Sequence, residues 1–201
     1  DWQTGLVPPP LARQAQRPAT VFTIHNLAYQ GLFDWNTFEA LNLPTEFWST
    51  EAMEFHDHFS FIKGGLVFAD WLTTVSPTYA SEIQSAEFGY GLEGLISHRK
   101  HNLKGIVNGV DYSVWNPGKD TQIPVQYNQR SLIHKMENKR ALQEHFGLPV
   151  DNSRPLFAVI SRLVEQKGID LILEIVPELV ARAPQLGILA KSQEYDRMVE
   201  E

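Results

Sequence analysis

Two cations, Arg162 and Lys167, stand just past the apolar run PLFAVIS at 155–161 and just ahead of a segment with helix periodicity. A helix N-terminus already carries partial positive charge and favours Asp or Glu, so Arg and Lys there imply a missing negative partner. A phosphate would supply it. The strand–loop–helix turn offers free N–H groups, Gly168 lets an anion approach the backbone, Arg162 can grip two oxygens and Lys167 adds a point charge. The alternative is internal: Glu165 and Asp170 neutralise the pair as ordinary loop ion pairs.

A second set of polar residues follows other apolar runs: His25-Asn26 after TVFTI, Ser76 after LTTV, and Asn108-Gly109 after KGIV. If these runs are parallel strands, the polar residues share the carboxyl edge of one sheet, where open α/β sheets bind ligands. His and Asn each present donor and acceptor functions, which suits sugar hydroxyls. Taken singly, His25 is a strand cap and Asn108-Gly109 a plain turn. Breaking a sugar–phosphate bond requires the leaving diphosphate to be stabilised by a metal or by fixed cations. No Asp-x-Asp pair of the kind that holds a divalent ion is present, so Arg162 and Lys167 are the available cations.

Other motifs carry less. Gly89, Gly91 and Gly94 in FGYGLEGL, with Asp111 downstream, match a dinucleotide fingerprint. That fingerprint needs a strand directly before its first glycine, whereas SPTYASEIQSAEF reads as a capped helix, so a glycine loop is expected there. His56, Asp57 and His58 in FHDHF lack a third ligand and are expected on a solvated helix turn. No Walker sequence and no G-x-S-x-G elbow occur.

The elements that must position these residues alternate between short β-branched runs and helix-period segments, which is the pattern of an α/β fold with parallel sheets. Strands are expected at 20–25, 71–75, 103–107, 155–161 and 186–190. Phe59, Ile62, Leu66 and Val67 form one helical stripe, and Pro8 to Pro10 break any helix begun at TGLV. Ser76-Pro77 caps the next helix, Ser131 caps another that stops at Gly147, and Ile172, Ile175, Val176, Leu179 and Val180 make a third stripe. The polar, Pro-containing stretch after Asp111 sets the boundaries: a first domain at 1–118, a linker at 119–130, and a truncated second domain at 131–201.

With 201 residues, 43% hydrophobic content and a net charge of -7, the composition is globular and acidic. That argues against nucleic acid or an anionic membrane as partner and for a small molecule or neutral polymer. Cysteine is absent, which removes disulfides, thiol nucleophiles and Cys-ligated metals, and no apolar run is long enough to span a membrane. The chain opens on Asp1-Trp2 and closes on KSQEYDRMVEE directly after a strand, so it reads as an internal fragment.

Five segments carry a resemblance: TVFTIHNLAYQG at 20–31, FIKGGLVFADWLTTVSPTYASEI at 61–83, FGYGLEGL at 88–95, IVNGVDYSVWNP at 106–117 and FAVISRLVEQKGIDL at 157–171. Over nearly its whole length the chain resembles bacterial glycogen synthases and plant starch synthases. The resemblance implies a GT-B glycosyltransferase with two Rossmann-like domains, transferring glucose from ADP-glucose to the non-reducing end of an α-1,4-glucan with retention, without a metal or other cofactor. It assigns catalytic roles to His25, to Arg162 and Lys167 on the donor diphosphate, and to Asp1 as the remnant of an Asp-Trp-His segment in which Gln3 replaces the His. Asn26, Asn108, Gly109 and Gly168 become substrate-binding positions.

The stretch ILAKSQ at 188–193 stands where the family has a Gly-rich turn, so that nucleotide contact is not carried over. The family's Lys-x-Gly-Gly loop and Glu-Pro-Cys-Gly-Leu segment are not among these residues, so the fragment alone is expected to be inactive. The implied compartment is the bacterial cytoplasm or, in a plant, a plastid. Competing readings are a GT-B enzyme using a UDP-sugar, a non-catalytic glucan-binding relative, and an NAD-dependent oxidoreductase built on Gly89 to Gly94.

Overall fold

In the computed structural model, which describes residues 1–162, 164–182 and 185–190, the chain forms two compact units that divide between Gly109 and Val110. Unit 1 runs α1 (Pro8–Ala12), β1 (Val21–Ile24), β2 (Leu32–Phe33), α2 (Trp35–Ala40), β3 (Glu54–Phe55), β4 (His58–Ser60), α3 (Phe61–Phe68), β5 (Trp71–Thr74), α4 (Pro77–Glu82), α5 (Glu93–His98) and β6 (Leu103–Gly105). Its main sheet has the order β1-β5-β6 and is parallel throughout, with Ile24 beside Thr74 and Thr74 beside Gly105. The three carboxyl ends therefore share one edge.

Alternation along β1 and β5 buries Phe22, Ile24, Leu72 and Thr74 and turns Val21 and Trp71 outward, so the sheet packs on one face. Ile62 and Leu66 of α3, Ile83 after α4 and Ile96 of α5 close over it. The backbone of α3 lies so near the sheet that a Cβ on Gly65 would come within 2.4 Å of the Phe22 ring. A second cluster, Phe38, Phe47, Ala52, Met53 and Phe59, fills the space beneath the antiparallel sheet β2-β4-β3.

Two sequence expectations for unit 1 give way, and a third takes an unforeseen form. Phe59 lies on β4 in this second cluster and not on the following helix, because Ser60 caps α3 by accepting the Lys63 amide at 3.3 Å. No α-helix runs through TGLV into Pro8 to Pro10, as expected, but the prolines themselves begin α1: the first amides of a helix have no partner within it, so three prolines there forfeit nothing. His56 and Asp57 form the two-residue turn of the β3–β4 hairpin, both at positive φ (51° and 62°), and not a helix turn.

Unit 2 contains a 3-10 turn (Leu132–His134), α6 (Lys135–His145), β7 (Leu156–Ser161), α7 (Ile169–Ala181) and β8 (Gln185–Ala190). Strands β7 and β8 pair in parallel from Leu156–Gln185 to Ser161–Ala190. Gly147 ends the α6 region at φ +65°, the left-handed position that glycine adopts without penalty. Ser131 does not cap the helix through its side chain; its hydroxyl accepts the Asn128 amide. Within 119–130, Val125 is tied to unit 2, since Asn138 of α6 exchanges hydrogen bonds with both its amide and its carbonyl. On α7, Ile172, Val176 and Leu179 are half-buried while Ile175 is exposed; the Val180 side chain lies outside the described part.

No helix among the described residues is long and apolar enough to cross a membrane.

Candidate active site

At the carboxyl edge of the unit 1 sheet, Asp1 organises the turn that follows β1. Its Oδ1 accepts the backbone amides of His25 at 2.7 Å and Asn26 at 3.3 Å, and its Oδ2 lies 3.5 Å from His25 Nδ1. The His25 side chain is 55% exposed, so its ring is open to a ligand. Asn26 bends the chain further, its side-chain oxygen accepting the Ala28 amide at 3.1 Å and its carbonyl accepting the Tyr29 amide at 3.3 Å.

A residue that pattern reading missed completes this turn. The Tyr79 hydroxyl accepts the amide of fully buried Leu27 at 3.0 Å, and burial pushes the Tyr79 phenol above its ordinary pKa. Tyr79 is placed by the Ser76-Pro77 start of α4, where the Ser76 hydroxyl accepts the Tyr79 amide at 2.9 Å. Ser76, expected to face a ligand at the strand end, is therefore engaged as a helix cap. The Ser-Pro pair was the available signal: it fixes the start of α4 and hence which face Tyr79 presents.

Asn108 and Gly109 lie past the end of β6 in an exposed stretch, and a Cβ on Gly109 would meet nothing. Among the described residues no hydrogen bond joins Asn108 to His25.

In unit 2, Arg162 follows the last residue of β7 and is exposed. Lys167 ends the 3-10 turn Glu165–Lys167, also exposed, and Gly168 at φ +62° redirects the chain into α7. A Cβ on Gly168 would sit 3.5 Å from Leu171, an ordinary contact, so what this glycine supplies here is its backbone conformation. Among the described residues no carboxylate pairs with Arg162 or Lys167, Asp170 included. The Glu165 side chain and residues 191–193 of the ILAKSQ stretch lie outside the described residues.

The other motifs resolve structurally. Gly89 follows the turns after α4 and no strand precedes it, so the dinucleotide fingerprint lacks its context. Among the described residues no three His, Asp or Glu side chains are placed to hold a metal ion, and His56 and His58 belong to the hairpin.

With this geometry in place, comparison with known proteins is direct. The family model of the starch synthase catalytic domain matches residues 1–98. Glycogen synthase 2 of Nitrosococcus oceani is 56% identical over 194 residues, covering 96% of this chain and 40% of the relative. The glycogen synthase of Cellvibrio japonicus is 56% identical over 189 residues, covering 94% and 39% respectively. Among solved structures, the catalytic domain of starch synthase IV from Arabidopsis thaliana, bound to ADP and acarbose, matches with a TM-score of 0.89 at 33% identity over 100% of this chain and 43% of that one. The chain thus spans about 40% of the length of the curated relatives it matches. Sequence identity sustained from the first unit into the second, on a shared α/β fold, makes this chain similar over nearly its whole length to part of the glycogen and starch synthases.

Proposed function

We propose that the chain is part of a glycogen synthase that moves glucose from ADP-glucose to the non-reducing end of an α-1,4-glucan with retention of configuration. The observation that carries this reading is the pair of exposed cations at the end of β7 that no carboxylate neutralises among the described residues. Departure of ADP builds negative charge on the diphosphate as the anomeric carbon becomes oxocarbenium-like, and cations already in place stabilise that charge without reorganisation. Arg162 supplies a planar two-point grip and Lys167 a point charge, so the donor site of this reading is metal-free. His25 Nε2 and Asn26 face the transferred sugar or its acceptor, Asn108 and Gly109 contribute from the end of β6, and Gly168 shapes the diphosphate turn. Asp1 is a positioning residue, since its oxygens serve the His25–Asn26 turn.

The matched starch synthase IV was solved with ADP and with acarbose, a donor product and an oligosaccharide, which supports both halves of the proposal. The bacterial glycogen synthases among the relatives support the bacterial cytoplasm as the compartment. The test is a full-length synthase containing this chain, assayed with ADP-glucose and UDP-glucose. ADP-glucose is expected as the better donor, and Arg162→Ala or Lys167→Ala is expected to lower kcat/KM about a hundredfold, the size of losing one preorganised contact to developing charge. Unchanged kcat/KM in both variants overturns the diphosphate assignment.

A further inference from the structure

A buried charge in unit 1 takes no part in the chemistry above. Lys63, 8% exposed, sits in the first turn of α3, where the partial positive charge of a helix N-terminus disfavours a cation. Burial lowers the pKa of its ammonium, and Glu54 and Glu51 oppose that shift without cancelling it. The charge therefore costs the fold stability that an apolar side chain of similar length would not.

What the charge does is geometric. Lys63 Nζ donates to the carbonyl oxygens of Thr50 at 2.6 Å and Glu54 at 2.5 Å, and the Phe55 ring centre lies 6.0 Å away. Carbonyl dipoles whose negative ends converge repel each other, and a cation between them reverses that repulsion. The same turn of α3 gathers two further segments. The amides of Phe61 and Ile62, which have no partner within the helix, donate to the carbonyls of Gly31 at 3.0 Å and Gln30 at 3.1 Å. They fix the far end of the turn that carries His25 and Asn26. Gly5 packs directly on the Phe61 carbonyl, which a Cβ would approach to 1.8 Å, and Gly64 packs on the Gly5 carbonyl, where a Cβ would come within 2.7 Å. Gly5 closes the 3-10 turn Trp2–Thr4 that follows Asp1. Asp1 and the His25–Asn26 turn, which meet at the candidate site, thus rest on one turn of one helix.

We propose that Lys63 is a positioning residue: by clamping the 50–54 segment onto the first turn of α3, its ammonium locks the junction on which Asp1 and the His25–Asn26 turn are seated, and so sets the Asp1–His25 geometry. The effect on turnover rests on the synthase reading above; the clamp itself does not.

The test is made in a full-length synthase containing this chain. Lys63→Met keeps the apolar stem and removes the ammonium. Thr50 is exposed and Glu54 half-buried, so the freed carbonyls reach water, and the urea midpoint is expected to stay at or above that of the parent. Turnover is expected to fall about tenfold in kcat, within the range by which small misplacements of reacting groups slow a reaction, while KM for ADP-glucose stays within about twofold. Lys63→Arg restores a cation and is expected to turn over faster than Lys63→Met. A residue with a purely structural role would lower the midpoint and leave the kcat of the folded protein alone, so an unchanged kcat overturns the proposal.

Hydrogen exchange reads the junction without catalysis. The amides of His25 and Asn26, both held by Asp1 Oδ1, are expected to exchange about tenfold faster in Lys63→Met. Unchanged exchange at both overturns the clamp whatever kcat does. No turnover of ADP-glucose by the unsubstituted protein overturns the synthase reading instead, and exchange then decides the clamp alone. If Lys63→Met does not fold, Lys63→Gln, which keeps one donor group, takes its place with the same expectations. Failure of both to fold makes Lys63 a folding residue and overturns the proposal.

Discussion

The amide of Leu27 is buried, and its acceptor is a single phenol oxygen, that of Tyr79. A buried donor deprived of its acceptor costs about 1–3 kcal/mol, more than the net worth of the bond itself. Tyr79→Phe keeps the ring in the core and removes only that oxygen, so it is expected to lower the unfolding free energy by that amount, read as a lower urea midpoint with an unchanged m value. It should also loosen the His25–Asn26 turn, lowering kcat of a full-length synthase while the substitutions at Arg162 and Lys167 keep their own effects. The same phenol gives a pH signature. Burial raises its pKa in the fold, so the stability it contributes is complete below the unfolded tyrosine value near 10 and is lost as pH rises through the higher folded value. In Tyr79→Phe that alkaline component of unfolding is expected to vanish; an identical alkaline profile would remove Tyr79 from this role. Ser76-Pro77 announced the start of α4, but the contacts themselves were not legible from local pattern, because Asp1–His25 and Tyr79–Leu27 join residues far apart in the chain.

At the scale of elements, what could be read was what local chemistry decides. Ser76-Pro77 opened α4, Gly147 closed the α6 region, and β-branched runs gave β1, β5, β7 and β8 within a residue or two. What failed was decided by tertiary packing. The hairpin at His56-Asp57 lacks the Asn-Gly or Gly-containing pair that announces such turns, and it is enforced by Phe59 entering the second core cluster. At the amino ends of β1 and β5, Asp70 accepts both guanidinium nitrogens of Arg17 at 2.6 and 2.8 Å, with the Thr20 amide at 2.7 Å and its hydroxyl at 3.0 Å. The Arg17 hydrogen bonds hold the Asp70 carboxyl far below the usual carboxylate range. A depressed carboxylate pKa contributes stability that is present above the unfolded value near 4 and is lost as pH falls toward the folded value. Asp70→Asn is therefore expected to lower the thermal midpoint at neutral pH and to flatten its decline below pH 4; a decline as steep as that of the parent would assign acid unfolding elsewhere. On α3, Gly65→Ala drives a methyl into the Phe22 ring and is expected to destabilise by about 1–3 kcal/mol, the range for overpacking a filled core.

For the whole molecule, the acidic balance and the anionic donor proposed above pull in opposite directions, and magnitudes decide between them. A single charge pair about 4 Å apart is worth roughly 4 kcal/mol at an effective dielectric of about 20. The net charge of -7 acts on a dianion from much farther away. At about 20 Å in water its unscreened repulsion is roughly 3 kcal/mol, and at 0.1 M salt screening over about 10 Å leaves less than half of that. Local cations therefore win, and the sign of the salt effect reveals it. ADP binding to the chain, followed by calorimetry, is expected to weaken as salt rises, because added ions screen contacts to exposed Arg162 and Lys167 more than they relieve a distant repulsion. In the double variant Arg162→Gln and Lys167→Gln the attraction is gone and only the repulsion remains. Its weaker ADP binding is expected to tighten or stay level as salt rises, reversing the slope. A metal bridge in place of the two side chains would instead make ADP affinity fall on addition of EDTA and leave the salt slope of the double variant like that of the parent.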